Sequence, residues 1–335
     1  MRRDKQKDMR ILFTSSGRRV ELIEIFKKEG FYCLAADSDP TAPSLYISDK
    51  AFLVPRVIFD PEQYVKKIAE ICRQERVAII VPLIDPELPV LARFKDFFLE
   101  NSVTALISNF ESVDLANDKY RLYGFFKKIG LPAPLTWLLN KPNVMDIENL
   151  GELFPALLKP RYGSSGIGIF DCPSPEFLSS FFKANDYEDY IIQKKVSGEE
   201  ITIDILGDGL GGVISAVQRK RLKVRGGEVE RGITVKYPEL FQDVAKLAKA
   251  FRPFGAINLQ CFFNPETRTR YYTEINARFG GGYPLAYQAG ANFPQYIRKL
   301  MEHESVKVAL GDDYQEGLIM SRYDKAIYLS KDKLI

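Results

Sequence analysis

The N-terminal third of the chain alternates between short apolar runs and longer segments whose apolar residues recur every three or four positions. The apolar runs are residues 10–14, 31–36 and 77–81, and the helical spacing covers residues 20–29 and 61–75. Short buried strands that alternate with amphipathic helices are typical of a parallel sheet whose carboxyl-edge loops face a ligand. The pattern therefore predicts one open α/β domain up to about residue 108.

The rest of the chain follows an α+β pattern. Strands are predicted at residues 156–159, 166–171, 190–194, 201–206, 213–219, 256–263 and 270–276, and helices at residues 118–130, 175–183 and 239–251. No long linker, internal repeat or low-complexity segment separates these elements. We therefore expect two or three domains that share one body.

The composition is that of a globular protein. Of the 335 residues, 46% are apolar and 27% are charged, and the net charge is only +3, which does not indicate a nucleic-acid-binding or membrane-binding protein. The longest apolar run, residues 77–84, is far shorter than the roughly 18 residues of a membrane-spanning helix. Because the charged N-terminus also lacks the apolar core of a signal peptide, we expect a cytoplasmic protein.

The cysteines and the histidine restrict the chemistry. Cys33, Cys72, Cys172 and Cys261 lie far apart, and His303 is the only histidine. A zinc site, a disulfide framework and His-dependent nucleophilic catalysis therefore lack the residues that they need. We expect buried cysteines, a histidine on the surface, and chemistry based on carboxylates, amides, lysine and arginine with a metal ion.

Polar residues follow each predicted strand of the N-terminal domain. They are Ser16, Gly17 and Arg18 after the first strand, Asp37 after the second, and Asp85 and Glu87 after the third. Only one of the three glycines of a dinucleotide-binding fingerprint is present, so a nicotinamide site with Asp37 on the ribose is not favoured. Two interpretations stay open. These residues either stabilise the loops at the sheet edge, or they line a substrate pocket in which Arg18 binds a carboxylate and Asp85 or Glu87 binds an ammonium.

The most specific local signal is a turn rich in glycine and serine after a strand that ends in Lys159. Gly163, Ser164, Ser165 and Gly166 form this turn. Backbone N–H groups of such a turn can point at phosphate oxygens while the lysine adds a positive charge. It is not a Walker loop, because no Gly-Lys-Ser/Thr ends it and a strand follows. The turn predicts a phosphate lid, with an ordinary glycine-rich hairpin as the alternative.

A second signal lies near residue 275. Glu274, Asn276 and Arg278 alternate along a predicted strand and therefore project from one face. Gln260, with Asn258 two residues before it, repeats this arrangement on the neighbouring strand. Carboxylate and amide oxygens suit Mg²⁺, and the glycine run 280–282 is typical of backbone that closely approaches a ligand. We expect a metal–nucleotide site, with a solvent-facing edge strand as the alternative.

Taken together, these motifs make the chain resemble the ATP-grasp superfamily, and within it the carbamoyl-phosphate-synthetase-like single-chain ligases, up to about residue 300. The resemblance implies an N-terminal open parallel α/β (pre-ATP-grasp) domain over residues 1–108 and a two-lobed ATP-grasp fold after it. Its lid subdomain would cover residues 109–196 and its C-terminal subdomain, with the metal site, residues 197–335. The two lobes would clamp ATP between them.

The resemblance also implies roles for individual residues. Lys119 and Lys159 would contact the phosphates together with the turn, Gln193 the adenine amino group, Val196 the base through the backbone, and Glu200 the ribose. Lys194 would also belong to the nucleotide-binding residues. Gln260, Glu274 and Asn276 would hold Mg²⁺, with Mn²⁺ as an alternative ion. The number of bound metal ions, one or two, is left open because a glutamine at position 260 carries no charge. Arg278, Lys119 and Lys159 would be catalytic through charge neutralisation.

The strongest basic run covers residues 218–225. Arg219, Lys223 and Arg225 alternate along it and lead into Gly226 and Gly227. A nucleic-acid patch is not favoured, because aromatic residues are not interleaved with the basic ones. A solvated strand is the usual interpretation of such a run. Within an ATP-grasp frame we favour a mobile loop that closes on the triphosphate and the acyl group.

The sequence-based conclusion is an ATP-dependent carboxylate–amine ligase that forms an amide through an acyl phosphate and releases ADP and phosphate. The alternatives are phosphorylation of bicarbonate or carbamate, as in carbamoyl phosphate synthetases, and a non-catalytic ATP sensor. The expected partners are small-molecule carboxylate and amine substrates. We expect no nucleic acid or membrane as a partner, and whether the chain forms a homodimer is left open. The candidate substrate contacts are Arg18, Asp37, Asp85, Glu87, Arg225 and Gly281.

Overall fold

The computed structural model describes residues 9–139, 151–163, 166–184 and 187–335, and the strands in these ranges form three sheets. Ser164 and Ser165, at the centre of the glycine-rich turn, lie outside the described residues. Within the described ranges, every helix is too short or too polar to traverse a lipid bilayer. The four cysteines are buried and unpaired, and His303 is exposed, as expected.

The first sheet is wholly parallel. Its strands are β1 (Met9–Thr14), β2 (Phe31–Asp37), β3 (Lys50–Leu53), β4 (Ile79–Pro82) and β5 (Thr104–Ala105), in the order β3-β2-β1-β4-β5. The helices between them are α1 (Val20–Lys28), α2 (Pro43–Ile47), α3 (Pro61–Glu75), α4 (Leu88–Arg93) and α5 (Lys95–Glu100). Because the strand order reverses at β1 and β4, a crevice opens beyond their carboxyl ends. The predicted parallel α/β domain is confirmed.

The second sheet is antiparallel and lies in the middle of the chain. Its strands are β6 (Thr136–Leu139), β7 (Ala156–Pro160), β8 (Phe170–Cys172) and β9 (Tyr190–Lys194), in the order β6-β9-β7-β8. Helix α8 (Pro175–Ala184) covers it, and Leu158, Cys172, Leu178 and Ile192 form a small core that is separate from the two larger ones. The predicted strand over residues 166–171 is shorter than expected, because residues 166–169 form a turn before β8.

The third sheet carries most of the candidate site. Its strands are β10 (Glu199–Asp208), β11 (Val213–Arg225), β12 (Glu228–Val235), β13 (Phe254–Phe263), β14 (Arg270–Asn276), β15 (Ala309–Leu310) and β16 (Ile319–Ser321). The order is β14-β13-β10-β11-β12-β16, with β15 paired to β11. The helices of this region are α9 (Pro238–Phe251), α10 (Tyr283–Gln288) and α11 (Phe293–Met301). The predicted combination of a parallel sheet with antiparallel ATP-grasp lobes is confirmed.

Two helices connect the first sheet to the other two. Helices α6 (Phe110–Asn117) and α7 (Lys119–Lys128) pack against β14 as well as against neighbouring helices. Asp118 caps α7, because its side chain accepts hydrogen bonds from the backbone N–H groups of Tyr120 and Arg121. This cap places Lys119 at the first turn of α7, beside β14. The domain boundaries at residues 108 and 196 stay predictions.

The two faces of the third sheet differ. Ile201, Ile203 and Leu259 are fully buried and share a core with Leu240 and Val244 of α9. Because side chains alternate along a strand, the residues between them point to the opposite face. That face is polar over part of its area, and it borders the cleft described below.

Candidate nucleotide and substrate site

A row of polar side chains crosses adjacent strands of the third sheet. Glu274 lies opposite Gln260, Asn276 opposite Asn258, Thr202 opposite Gln260, and Asp204 opposite Asn258. Directly opposed residues have Cβ atoms about 4.5–5.5 Å apart, so these side chains touch or nearly touch. The structure therefore brings together Gln260, Glu274 and Asn276, which the sequence placed on one face.

The oxygens of these three residues fit a Mg²⁺ ion that also binds a nucleotide. Gln260, Glu274 and Asn276 offer one carboxylate and two amide groups. In the described part of the chain, no cluster of three or more His, Cys, Asp and Glu side chains is arranged for a metal ion. Mg²⁺ usually keeps several waters and takes the rest of its ligands from one or two carboxylates and from phosphates. The donor set suits an ion of this kind, and the metal site stays a prediction.

A buried ion pair between Arg219 and Asp204 lies within the polar row. Arg219 Nε lies 2.5 Å from Asp204 Oδ2, and Arg219 Nη2 donates to Asp204 Oδ1 at 3.0 Å. Asn258 Nδ2 also donates to Asp204 Oδ1, at 2.9 Å. Removing one partner of such a pair leaves an uncompensated buried charge, so the pair is part of the scaffold. Arg219 is therefore not part of a loop that closes on the triphosphate, contrary to the sequence-based expectation.

The basic run ends in a hairpin between β11 and β12, and its predicted alternation does not hold. The pairing register shifts between Arg221 and Lys223 and again before Val224, which turns the later residues away from the cleft. The side chain of Arg225 is 58% exposed and pairs with Asp324 at 2.7 Å. The expectation that Arg225 contacts substrate is therefore not met in this conformation.

Arg221, rather than Arg225, borders the cleft. Its Nε donates to Thr202 Oγ1 at 3.0 Å, and its Nη1 lies 2.8 Å from Glu200 Oε1. Burial lowers the pKa of Arg221, and the nearby carboxylate of Glu200 opposes this shift. Both Thr202 and Arg221 border the cleft and escaped the sequence analysis. The period of two along β10 and β11 is the signal that could have found them.

Two lysines lie near Glu274. Lys159 is the second-to-last residue of β7, with only 4% of its surface exposed, and Lys119 Nζ donates to the carbonyl of Gly163 at 2.6 Å. Burial lowers the pKa of both lysines, while the carboxylate of Glu274 acts in the opposite direction. Within the described ranges, the side chain of Lys159 makes no hydrogen bond or ion pair. A desolvated ammonium without a partner favours an anionic ligand.

Asp118 also ties the glycine-rich turn to α7. Arg161, just before this turn, donates from Nε and Nη2 to the two Asp118 oxygens at 2.9 and 2.6 Å. The backbone N–H of Lys119 bonds the Arg161 carbonyl at 3.1 Å. These contacts hold Lys119 beside Gly163, which has a left-handed φ of 97° that favours glycine. The structure therefore brings Asp118 and Lys119 together with the start of the glycine-rich turn.

Gln193 lies near the end of β9 and Glu200 near the start of β10, and Glu200 borders the cleft. Gln193 Nε2 donates to Thr136 Oγ1 at 2.8 Å, and Thr136 Oγ1 donates to the Pro134 carbonyl at 2.8 Å. This chain of bonds orients the amide and leaves Gln193 Oε1 as the acceptor for an amino group such as that of adenine. Lys194 and Val196 follow Gln193 at the end of β9, and the N–H of Lys194 already bonds the Leu135 carbonyl at 2.8 Å.

Two candidate substrate residues of the first sheet are occupied by scaffold contacts. Asp37 accepts hydrogen bonds from the N–H groups of Gly17 at 2.7 Å and Asp39 at 2.9 Å. Glu87 is fully buried, and its carboxylate accepts hydrogen bonds from the N–H groups of Leu83 and Ile84 and the hydroxyls of Ser15 and Tyr64. Both side chains hold the loops at the carboxyl edge together, so the structure does not support substrate contacts for them.

The other two candidates of the first sheet also differ from expectation. Asp85 accepts hydrogen bonds from Nε and Nη2 of Arg278, both at 2.8 Å, so it holds a guanidinium of the protein rather than a substrate ammonium. Arg18 is exposed and lies outside the cleft lining, whereas its neighbour Arg19 borders the cleft. No periodic signal distinguishes the two arginines in the sequence, because they lie in a turn.

The glycine run 280–282 makes room for side chains of the protein itself. A Cβ atom at Gly280 would overlap the Asn258 amide, and one at Gly281 would overlap the Arg19 guanidinium. A Cβ at Gly282 would likewise overlap Arg219. The run also lines the cleft, whose cavity volume is about 290 Å³. Close approach of the Gly281 backbone is thus explained by Arg19, and a ligand contact at Gly281 stays a prediction.

Two family models match the chain. Residues 11–106 match the model described as PylC-like, N-terminal domain. Residues 186–324 match the model described as ATP-grasp in the biosynthetic pathway with Ter operon. The first model covers the parallel sheet, and the second covers the third sheet with the polar row.

The curated relatives include carbamoyl-phosphate synthases. The chain is 27% identical over 286 residues to the carbamoyl-phosphate synthase of Methanobrevibacter smithii, which covers 82% of this chain and 75% of that protein. It is 23% identical over 283 residues to the carbamoyl phosphate synthase large chain of Thermotoga maritima, with 79% of this chain but only 24% of that protein covered. The chain thus spans about a quarter of the length of the large chains that it matches.

Solved structures show the same fold at low identity. The biotin carboxylase domain of Hydrogenobacter thermophilus 2-oxoglutarate carboxylase, in complex with MgADP, ADP and bicarbonate, has a TM-score of 0.71 and 19% identity over 91% of this chain and 72% of that one. N5-carboxyaminoimidazole synthetase from Staphylococcus aureus, complexed with ADP, has a TM-score of 0.72 and 15% identity over 91% and 80%. The family resemblance stated from the sequence is confirmed: the chain contains a PylC-like N-terminal domain over residues 11–106 and an ATP-grasp domain over residues 186–324.

Proposed function

We propose that this chain is an ATP-dependent ligase that joins a carboxylate to an amine through an acyl phosphate. The observation that supports this most directly is the convergence of Lys119, Lys159 and Arg278 around Glu274 and its neighbouring amide groups. Glu274 is a charged neighbour of both lysines, and it borders the same pocket as Lys119 and Gly163. Such a cluster can hold a triphosphate and the charge that develops during its transfer.

The reaction requires no nucleophile from the protein. A substrate carboxylate oxygen attacks the γ-phosphorus of ATP, the bond from this phosphorus to the β–γ bridging oxygen breaks, and ADP leaves. The amine then attacks the acyl carbon, phosphate leaves with the electron pair of the carbon–oxygen bond, and the amine nitrogen loses a proton. Lys119, Lys159 and Arg278 orient the phosphates and neutralise their charge.

A magnesium ion is the expected companion of ATP. Gln260, Glu274 and Asn276 would hold it, and when bound it would neutralise charge on the nucleotide phosphates. One or two ions, and Mn²⁺ in place of Mg²⁺, stay open for this chain. Gln193, Lys194, Val196 and Glu200 would contact the adenosine, with Glu200 shared between Arg221 and the ribose.

Phosphorylation of bicarbonate or carbamate is the second candidate. It is favoured by the match to the Methanobrevibacter smithii carbamoyl-phosphate synthase, of which this chain covers 75%. The sequence contains one set of ATP-grasp motifs, whereas carbamoyl phosphate synthesis needs two phosphorylations. The ligase therefore remains the preferred proposal. A non-catalytic ATP sensor, the third candidate, would have no reason to keep Glu274, Asn276 and Arg278 together.

One assay separates these candidates. ADP release is measured with amino-acid and sugar-acid carboxylates paired with amines, and separately with bicarbonate and ammonia. The ligase is expected to release one ADP per amide, with the product detected by mass spectrometry. Labelled carbamoyl phosphate formed with two ADP per product would establish the second candidate instead. ATP binding by calorimetry without ADP release under any condition would identify a sensor.

The setting of the enzyme is part of the proposal. We place it in the cytoplasm, with small molecules rather than nucleic acids or membranes as partners, and we propose a homodimer. Light scattering of the purified chain measures its mass directly and would contradict the dimer if only the mass of a single chain were found.

A further inference from the structure

The guanidinium of Arg19 differs from the other arginine side chains around the cleft. The others are held by their own chain: Arg219 by Asp204, Arg221 by Glu200 and Thr202, Arg278 by Asp85, and Arg322 by the carbonyls of Gly281 and Val229. In the described ranges, the Arg19 side chain makes no hydrogen bond, and its ion-pair partner, Glu228 Oε1, lies 3.5 Å from Nη1. Apart from this long ion pair, the described residues leave its N–H donors unused.

The surroundings of Arg19 are largely shielded from water, so donors without an acceptor raise the free energy of the folded state. Its side chain is only 19% exposed, and it borders the cleft against the backbone of Gly281. Burial lowers the pKa of Arg19, Glu228 opposes this shift, and the nearby guanidinium of Arg278 adds to it. A mostly desolvated cation with five N–H donors is stabilised when an anion accepts hydrogen bonds from it. The geometry is that of an anion site open to the cleft.

Glu228 is a weak occupant of this site. It begins β12 directly after the Gly226–Gly227 turn, whose residues have left-handed φ values of 58° and 78°, and its side chain is 43% exposed. A long ion pair whose carboxylate is partly exposed contributes little to stability. A carboxylate that accepts two parallel hydrogen bonds from the guanidinium is bound more strongly, so it can displace Glu228.

The site is distinct from the position proposed for the triphosphate. Lys119 and Gly163 line one pocket with Glu274, whereas Arg19 borders the cleft, which Glu274 also lines. Asp85, which holds Arg278, is a charged neighbour of both Lys119 and Arg19, so the two positions are adjacent. An anion on Arg19 belongs to the acid or the amine substrate rather than to the nucleotide.

We propose that Arg19 is a specificity-determining residue that binds a carboxylate of the substrate pair other than the one that reacts. One substrate then carries an additional carboxylate, as dicarboxylic acids and amino acids with an acidic side chain do. This inference rests on the proposed ligase function. Before substrate binds, Glu228 holds Arg19, and it is released when the substrate carboxylate replaces it.

The test compares acids that differ by one carboxylate: L-aspartate with β-alanine, and L-glutamate with 4-aminobutanoate. Binding to the full chain in the presence of ADP is measured by equilibrium dialysis with labelled acids, and KM is measured from ADP release. The variants are Arg19→Gln, its matched control Arg18→Gln at the exposed neighbour, and Glu228→Gln. Thermal melting establishes that each variant is folded.

Arg19→Gln is expected to weaken binding of the better diacid by about 10- to 100-fold, since it removes hydrogen bonds to a charged group. Its affinity for the matched monoacid and for ADP is expected to stay unchanged, and Arg18→Gln is expected to resemble the wild type. Glu228→Gln is expected to tighten diacid binding, because it removes the competing carboxylate.

Several results would overturn the inference: no binding of either diacid to the wild type, an equal effect of Arg19→Gln on both members of a pair, weaker ADP binding by that variant, or weaker diacid binding by Glu228→Gln. Failure of the proposed function looks different. In that case the diacid binds in an Arg19-dependent manner, but no acid and amine together promote ADP release.

Discussion

Asp85 and Arg278 are joined by two hydrogen bonds of 2.8 Å, although they lie 193 positions apart in the sequence. Asp85 lies in the loop after β4 of the first sheet, and Arg278 follows β14 of the third sheet. A carboxylate that accepts two parallel bonds from a guanidinium sets the plane and the direction of that group. The N-terminal domain therefore orients a residue that the proposed reaction needs.

Asp85→Asn is expected to lower kcat about 10- to 100-fold, because it removes a hydrogen bond and the charge that hold Arg278 in place. Nucleotide affinity is expected to change little, since the two lysines are untouched. Steady-state ADP release gives kcat, and calorimetry gives the ADP affinity. Asp39→Asn, at an exposed position of the β2–α2 loop, is the matched control. Unchanged kcat in Asp85→Asn would show that Arg278 needs no partner.

Lys159→Met is expected to weaken nucleotide binding at least about tenfold, because it deletes a charge that meets the phosphates. The same change is expected to stabilise the fold by about 1 kcal/mol near neutral pH, since the desolvated ammonium is removed. Calorimetry and denaturant unfolding measure the two effects, with Lys183→Met at an exposed position of α8 as control. Unchanged nucleotide affinity would remove Lys159 from the phosphate site.

The stabilisation by Lys159→Met should depend on pH in a defined direction. Burial lowers the pKa of Lys159 in the folded state below the value of about 10.4 in the unfolded chain. Between these two values the unfolded state binds more protons, so the free energy of unfolding of the wild type rises with pH. The advantage of the variant is therefore full below the folded pKa and shrinks as pH rises towards 10.4. A constant difference over this range would contradict the assignment.

Glu274→Gln is expected to lower Mg²⁺-dependent ADP release at least about 100-fold while weakening ADP binding much less, because a metal ion acts mainly on the phosphoryl group that is transferred. The measurement is kcat over a Mg²⁺ titration together with calorimetry. Glu266→Gln, in the exposed turn between β13 and β14, is the matched control. Full turnover by Glu274→Gln would place the metal elsewhere.

Glu87→Ala is expected to lower the free energy of unfolding by about 2–4 kcal/mol, since four donors around Glu87 would lose their acceptor. Substrate KM is expected to stay near the wild-type value, because the carboxylate is buried away from solvent. Urea unfolding and steady-state kinetics measure the two quantities. A large KM effect with unchanged stability would restore Glu87 to the substrate pocket.

The contacts that the sequence predicted correctly are local or periodic ones. Glu274 and Asn276 share a face because side chains alternate along β14, and Gln260 joins them because its strand is the neighbour. The glycine-rich turn was visible as a short segment with unusual composition, whereas Lys119 was implied only by the family resemblance. The expected position of Arg225 depended on regular alternation along β11. Two register shifts interrupt this alternation, so Arg225 does not share a face with Arg219.

The sequence by itself determined the parallel N-terminal sheet, the antiparallel lobes and the common face of Gln260, Glu274 and Asn276, because hydrophobic periodicity and side-chain alternation depend on neighbouring residues. Only the tertiary structure decided that Arg19 rather than Arg18 borders the cleft, since both lie in a turn where Ser15 and Gly17 each have a φ of 45°. Only the tertiary structure decided that Asp85 holds Arg278 and that Glu87 holds its own loop. Those outcomes depend on which side chains meet after distant segments pack, and no local pattern encodes them.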